Sequence, residues 1–564
     1  MAQKHVSAQE HASGFSKRMR TVALVVVALA FVMDLLDSTI VNVAIPSIQT
    51  NLNASYAAIQ WLVAGYALSF ALLLVSGGRM GDVFGYKKLF MIGVGGFTVA
   101  SLLSGLAWNP ASLIVFRLLQ GSMAALMVPQ VMSIMQVMYK PNERGAINGL
   151  FGALGGLAAS LGPVIGGLLI KANWWGLDWR PIFLINVPIG IFGLIAGARY
   201  LPNGKSPHPL KLDIYGTFIL VLAMGLLVFP LIQGRELDWP AWSFAMMAAS
   251  VPAFAWFAIW QKKRERLDGS SLILPSLFKK RSFGVGLLVN LVFEAAMIGY
   301  FLTFSLLLQI GLGFSPIHAA LTGLPVAVGI AMTMAILGEK VIPKMGRYAL
   351  TIGALTMALG LGITTWVLQH LQLDVNSWEL IPGLLVVGIG MGLTFSSLFA
   401  AVLNDVDASH AGSASGTLNA LQQVGGAIGV AVIGVVFFGQ INTAAATSFD
   451  AVSPKLKSEL TAQHVPAPAQ EQIVSQVKKC FVDRSREKDA TVLPASCKQG
   501  ESQALLSKPL FDSIATTAKE ANARNFNTAF RWSVIVEVAI LVVVFLISFL
   551  LPKHFRPEAY EEVA

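Results

Sequence analysis

The sequence predicts an all-α polytopic membrane protein, and three observations carry that prediction. Mean hydropathy is +0.67 over 564 residues, with 55% apolar and 12% charged, against about 25% charged in a water-soluble domain. The apolar residues gather into about fourteen runs, each near the roughly 20 residues that a helical span needs. The 52 Gly suit helices that pack closely in lipid, where small residues let backbones approach. A large soluble catalytic domain is excluded, and the chain is too apolar for a porin-type barrel.

Charges and Pro/Gly/Asn turns bound the runs at roughly 20–47, 56–77, 88–108, 111–138, 144–171 and 181–201. Two more lie at roughly 212–232 and 241–260, and the last six at roughly 282–311, 316–338, 347–370, 379–403, 411–440 and 527–551. An even number puts both termini on one face, and charge selects which. Tails and short loops on that face carry about 24 Lys/Arg, including Lys262, Lys263, Arg264, Arg266, Lys279, Lys280 and Arg281. Short loops opposite carry about three, Lys171, Arg180 and Arg235. Both termini are therefore expected in the cytoplasm. The net charge of +10 is thus mostly topological, and no nucleic-acid partner is expected.

The basic stretch Lys17, Arg18 and Arg20 could imitate a signal peptide, but the apolar run after it is too long and contains acids, which favours an uncleaved first helix. The only two cysteines, Cys480 and Cys497, fall in a long segment opposite the termini. An oxidising exterior would let them close as a disulfide ring; two free surface thiols are the alternative.

Laying the fifth run over the thirteenth at an offset of 267 matches Gly145 with Gly412, Gly149 with Gly416, Ala153 with Ala420, Leu154 with Leu421, Gly162 with Gly429 and Gly167 with Gly434. Such a repeat suits two six-helix halves with a substrate site between them near the midplane, runs seven and eight being an inserted pair. The expected organisation is a tail at 1–20, a first half at 21–205, the inserted pair at 206–265 and a second half at 266–564 that contains a long extracytoplasmic loop at 441–526.

Machinery of other classes is missing from the sequence. Gly204-Lys205-Ser206 resembles the end of a P-loop, but Arg199 stands where the first glycine belongs. The eight His show no metal-ligand spacing. No catalytic residue, metal or cofactor is expected, and the chain does not read as an enzyme.

The informative residues are ionisable groups inside spans, which are expensive in lipid and mark pathways or relays. Asp34 and Asp37 lie three apart on one helical face, and two acids so close in a poorly solvated site cannot both ionise cheaply. One is expected to hold a proton, the minimal element of proton coupling. Arg117, inside the fourth run, cannot lose its charge and needs an anion; a structural ion pair is the plainer reading. Glu294 lies mid-span with Asn290 one turn away, whereas Glu537 could pair with Arg531.

Between the second and third runs, Gly78 to Lys88 can turn tightly, and Asp82 can accept from a helix N-terminus or meet a cation, latching a gate. Gly152, Gly155, Gly156, Gly162, Pro163, Gly166 and Gly167 make a small-residue surface expected to pack tightly and bend.

At these residues the chain resembles the major facilitator superfamily, in its fourteen-helix drug:proton antiporter branch of the EmrB and QacA type. Leu36 to Pro46 is similar to that branch's first-helix motif, whose acid here is Asp37. Gly78, Asp82, Gly85 and Lys87 resemble the gate motif, Arg117 with Gln120 and Gly121 the proton-relay motif, and Gly162, Pro163, Gly166 and Gly167 the antiporter motif. Asp34 is outside the first-helix motif, and the second-half counterpart of the gate, Gly338 to Arg347, is degenerate.

The resemblance implies the major facilitator fold, a multi-pass protein of the bacterial cytoplasmic membrane, and proton-coupled efflux of lipophilic, cationic drugs or toxic compounds. Proton coupling is expected at Asp37, Asp34, Arg117 and Glu294. A cavity is expected to draw on Asn42, Trp61, Tyr66, Phe70, Gln120, Asn290, Phe301 and Gln309, whose aromatic walls would bind loosely through area and cation-π contacts. The expected partners are small drug-like molecules, protons and the bilayer; a periplasmic adaptor is left undecided. Two other readings stand beside this one: export of a single natural metabolite such as an antibiotic, amino acid or lipid, and a non-transporting receptor or assembly partner.

Overall fold

The computed structural model describes residues 16–139, 141–205, 211–337, 341–371, 375–406, 411–487, 493–497 and 508–554, with most side chains of 141–160 and isolated others outside the description. The first fifteen residues of the predicted tail, Ser206, Gly338, and the side chains at Gly145, Gly149, Gly152, Ala153, Gly155, Gly156, Gly412 and Gly416 fall outside it.

The chain forms α1 (Lys17–Leu52), α2 (Tyr56–Phe84), α3 (Tyr86–Gly105), α4 (Pro110–Met138), α5 (Pro141–Ala172) and α6 (Pro181–Tyr200). An adjacent pair follows, α7 (Ile214–Glu236) and α8 (Ala241–Asp268). The rest comprises α9 (Arg281–Leu306), α10 (Pro316–Leu337), α11 (Arg347–Leu371), α12 (Ser377–Leu403), α13 (Ala411–Ala462), α14 (Ala467–Arg486) and α15 (Lys508–Ser548). Thirteen helices among the described residues are long and apolar enough to cross a membrane; α5, at 32 residues, is the further membrane-length helix.

Local sequence sets the ends. Ser16 and Ser55 accept from the amides of Met19 and Ala58 and so cap α1 and α2. Asn109 and Ser112 form a capping box ahead of α4, with Pro110 where a missing amide costs least. Asn53 ends α1 in the left-handed region at φ 55°.

Packing recurs along the chain. In α1–α6, α1 lies against α5 and α6, α4 against α2 and α3, and α3 against α6. The same pattern returns in α9–α13 and α15: α9 lies against α13 and α15, α12 against α10 and α11, and α11 against α15. Two seams cross between these sets, α5 with α10 and α13 with α2. The overlaid glycines sit at matching places in them. Gly162 of α5 leaves room only for Thr39 of α1, as Gly429 of α13 does for Ala295 of α9. Gly167 meets Ile317 of α10, as Gly434 meets Gln60 of α2. A side chain at any of the four would displace its neighbour, so the repeat in the sequence is a repeat of close helix crossings. Helices α7 and α8 pack on each other, and α7 also touches α2 and α13.

Two expectations need correction. The segment from Gly78 to Phe84 is the last two turns of α2, and only Gly85, at φ 102°, makes the turn. It stays helical because α4 lies against it, Gln130 donating to the Gly77 carbonyl at 2.9 Å. The stretch at 441–526 is largely helix: α13 runs on to Ala462, α14 follows, and α15 begins at Lys508. Phe449, Val452, Leu456 and Leu460 of α13, Val474 of α14 and Leu510 and Ala521 of α15 form a core of their own there. Polar faces masked that core from a search for long apolar runs.

Candidate functional site

The site is built where α1, α2, α3, α4 and α6 meet. Asp37 on α1 is 1% exposed and Arg117 on α4 is 1% exposed, and they form an ion pair. The other Asp37 oxygen accepts from Gln120 Nε2 at 2.7 Å and from Asn186 Nδ2 of α6 at 2.9 Å. Gln120 takes a second bond from Arg117 Nη1 at 2.8 Å and reaches Ser101 Oγ of α3, also at 2.8 Å. Arg117 Nε donates to the Leu62 carbonyl of α2 at 3.4 Å. Three side chains thus donate to one carboxylate, which is how a buried charge is kept.

Asp34, one turn away and also buried, receives the hydroxyl of Tyr66 on α2. The Arg117 guanidinium lies 4.2 Å from the Tyr66 ring centre, so Tyr66 bridges both acids' surroundings through its hydroxyl and its ring face. This needs α2 and α4 close together. Gly121 permits it: a side chain there would strike Ser69 and the Tyr66 carbonyl. The cluster holds two carboxyl groups and one guanidinium, so one proton makes it neutral.

Of the expected cavity residues, Tyr66 and Gln120 therefore belong to the acid cluster, and Phe70 stacks on Tyr66 at 6.2 Å. Trp61 instead meets Phe229 of α7 at 6.0 Å, which ties the inserted pair to α2. Asn42 and Gln309 meet through Ser305: Ser305 Oγ donates to the Asn42 carbonyl at 2.8 Å and accepts from Gln309 Nε2 at 2.9 Å. Gln309 sits in a π-helical turn, Leu307–Gly311, an irregularity often found at functional positions. Asn290 donates to the Leu418 carbonyl at 3.4 Å, and Phe301 lies 5.5 Å from Tyr300.

Glu294 is 5% exposed on α9, with Gly425 of α13 against its Cβ, and makes no ion pair among the described residues. Asn186 and Ser101 are members of the acid cluster that sequence reasoning missed. An amide inside an apolar run, which Asn186 is, was the available signal. Glu537 is fully buried and Arg531 exposed, so the pairing suggested by their spacing does not form.

In the segment expected to form a gate, Asp82 accepts from the Tyr86 hydroxyl at 2.9 Å and lies within electrostatic reach of Arg79. Lys87 donates to the Ala198 carbonyl of α6 at 2.7 Å. Gly78 faces Pro129 of α4. The longer-range grip belongs to Arg79, which donates to the carbonyls of Ser270 and Ser271 between α8 and α9. In α5, Gly162 and Gly166 press on Thr39 and Ile40 of α1, with Pro163 inside the helix. Cys480 and Cys497 are joined as a disulfide that ties the end of α14 to residues 495–497.

Residues 27–430 match the Major Facilitator Superfamily. The probable actinorhodin transporter of Streptomyces coelicolor is 40% identical over 96% of this chain and 93% of its own length. The tetracenomycin C resistance and export protein of Streptomyces glaucescens is 32% identical over 74% of this chain and 76% of its own. Among solved structures, a bacterial homologue of the human lysosomal transporter Spinster, inward-facing and unoccupied, aligns with TM-score 0.57 at 15% identity, covering 96% of this chain and all of that one. That likeness concerns the fold alone. Helices of membrane length in this packing, a family match over most of the chain and relatives aligned along their length agree: this multi-pass membrane protein belongs to the Major Facilitator Superfamily and is a transporter rather than an enzyme.

Proposed function

We propose that the protein expels lipophilic, cationic drug-like compounds from the cytoplasm in exchange for protons, from the bacterial cytoplasmic membrane with both termini inside. The observation that carries this reading is two buried carboxyl groups sharing a single guanidinium. Asp37 is fixed as the partner of Arg117, Gln120 and Asn186. Asp34 has a hydroxyl for a partner and, among the described residues, no ion pair of its own. Asp34 is therefore the group that takes and gives the proton, and Arg117 with Asp37 sets the field in which it does so. Glu294 serves as a further acid in the second half.

The cycle follows from competition for one charge. A cationic compound entering from the terminus face favours the ionised acid and displaces its proton; outside, a proton reloads the acid and releases the passenger. Rocking about the α5–α10 and α13–α2 seams exposes the site to each face in turn. Each proton contributes about 1.4 kcal/mol per pH unit, and about 2.3 kcal/mol per 100 mV when net charge crosses. One proton for one monovalent cation is electroneutral and feels the pH gradient alone.

Relatives whose names carry antibiotic export or resistance support efflux of antibiotic-like compounds. The 40% identity to a probable actinorhodin transporter over 96% of the chain favours a second reading, a dedicated exporter of one antibiotic metabolite. Inverted vesicles separate the two. An imposed pH gradient should drive uptake of several chemically unrelated compounds. Uptake of one compound alone supports the dedicated exporter, and uptake indifferent to the gradient refutes proton coupling.

A further inference from the structure

Glu537, in the membrane portion of α15, is fully buried, and neither of its carboxyl oxygens has a hydrogen-bond partner among the described residues. The hydroxyl of Tyr300 on α9, equally buried, also lacks one among the described residues and lies within electrostatic reach of Glu537. Aromatic rings surround the tyrosine: Phe304 stacks on it at 5.4 Å, and Phe530 lies 6.4 Å from it and 5.9 Å from Phe304.

Among the described residues, the membrane portions of the helices packed on α15 bring no cation to this acid. Between Ala411 and Phe449, α13 has no ionisable residue. On α11, Arg347 and Tyr348 lie at one end, where Arg347 donates to the Phe549 and Leu551 carbonyls, and His370 lies at the other. On α9, Arg281 opens the helix, and Glu294 and Tyr300 are its other titratable groups. Helix α12 holds the place in its set that α4 holds in the first, yet its ionisable residue is Glu379 in the first turn, with no counterpart of Arg117.

An ionised Glu537 would be fully buried with neither countercharge nor hydrogen-bond donor among the described residues, an arrangement that buried groups escape by pairing or by neutralising. We infer that Glu537 is a further proton-binding site beside Asp34 and Glu294, loaded while α9 and α15 are closed around Tyr300 and emptied when their separation admits water. In the exchange the carboxyl O–H bond breaks, the proton passes to water and the carboxylate becomes hydrated; no other bond changes. Tyr300 is a positioning residue, its hydroxyl placed to meet the carboxyl as the helices shift. The inference rests on the proton-coupled reading above and adds, beside Glu294, another carrier in the second half.

Two measurements test it. Wild-type protein in liposomes is treated with dicyclohexylcarbodiimide, which reacts with protonated buried carboxyl groups, and labelling is read peptide by peptide. Labelling of Glu537 that is strong at acidic pH and declines at alkaline pH is expected. No label at Glu537 while Asp34 is labelled, or labelling that ignores pH, overturns the inference, and this arm decides even if substituted proteins fail to fold. In proteoliposomes, the number of protons moved per ethidium should fall in Glu537→Gln and recover in Glu537→Asp. An unchanged ratio in Glu537→Gln contradicts the further site. If wild-type ethidium flux ignores the pH gradient, proton coupling itself fails and the labelling result still judges Glu537.

Discussion

The two six-helix sets share a packing pattern and differ in charge. In α1–α6 a buried carboxylate is matched by Arg117 and held by Gln120 and Asn186; in α9–α13 and α15 the buried acids Glu294 and Glu537 meet no cation among the described residues. Related scaffolds therefore support two kinds of acid. A paired carboxylate is a fixed charge, because removing its partner leaves an uncompensated ion in low dielectric. An acid without a cation is free to change its proton when water arrives. Asp34 lies between these cases, next to a cation already committed to Asp37.

The strongest way to break this comparison is Arg117→Ala, which strands Asp37. A loss of about 3–5 kcal/mol of stability is expected, read as a large fall in melting temperature and in folded protein, with transport abolished. Adding Asp37→Asn to that change should restore much of the fold but not the transport. If Arg117→Ala melts like the wild type, the ion pair is not the anchor claimed here.

Tyr66→Phe sharpens the account of Asp34. Removing the hydroxyl takes away a bond to an acid, worth about 1.5–3 kcal/mol when charge is involved, so pH-driven transport should slow by roughly tenfold or more while the protein stays folded. Unaltered rates would show that the Tyr66 bond plays no part in exchange.

The seams offer a smaller, paired test. Gly167→Val and Gly434→Val each overpack a crossing, with an expected loss of about 1–3 kcal/mol and similar slowing of transport in both. Damage from one alone would mean that the two crossings are not equivalent. Smallest for transport is Cys480→Ser with Cys497→Ser. A ring with sequence separation 17 is worth roughly 3 kcal/mol to the segment it closes, so proteolysis of α14 and the residues after it should quicken while flux holds.

Much of this was legible in the sequence, for physical reasons. Long apolar runs locate spans because lipid leaves backbone groups no other partner, and the spacing of Asp34 and Asp37 placed them on one face. The glycine overlay pointed to two related halves, and its pairs Gly162 with Gly429 and Gly167 with Gly434 lie at matching crossings. Asn186 and Ser101 were hidden because a neutral polar residue in an apolar run looks like tolerated decoration until its partner is seen. Trp61 turned toward Phe229 because the inserted pair covers that face of α2, which helix periodicity alone does not reveal. The helices within 441–526 went unread because their core needs three segments brought together.

The central claim is that Asp34 exchanges the proton while Asp37 stays charged. Counting protons released when ethidium is added to purified protein in weakly buffered solution tests it most directly. Wild-type protein should release protons, Asp34→Asn should lose that portion of the release while still binding ethidium, and Asp37→Asn should bind poorly or unfold. Undiminished release from Asp34→Asn would contradict the account.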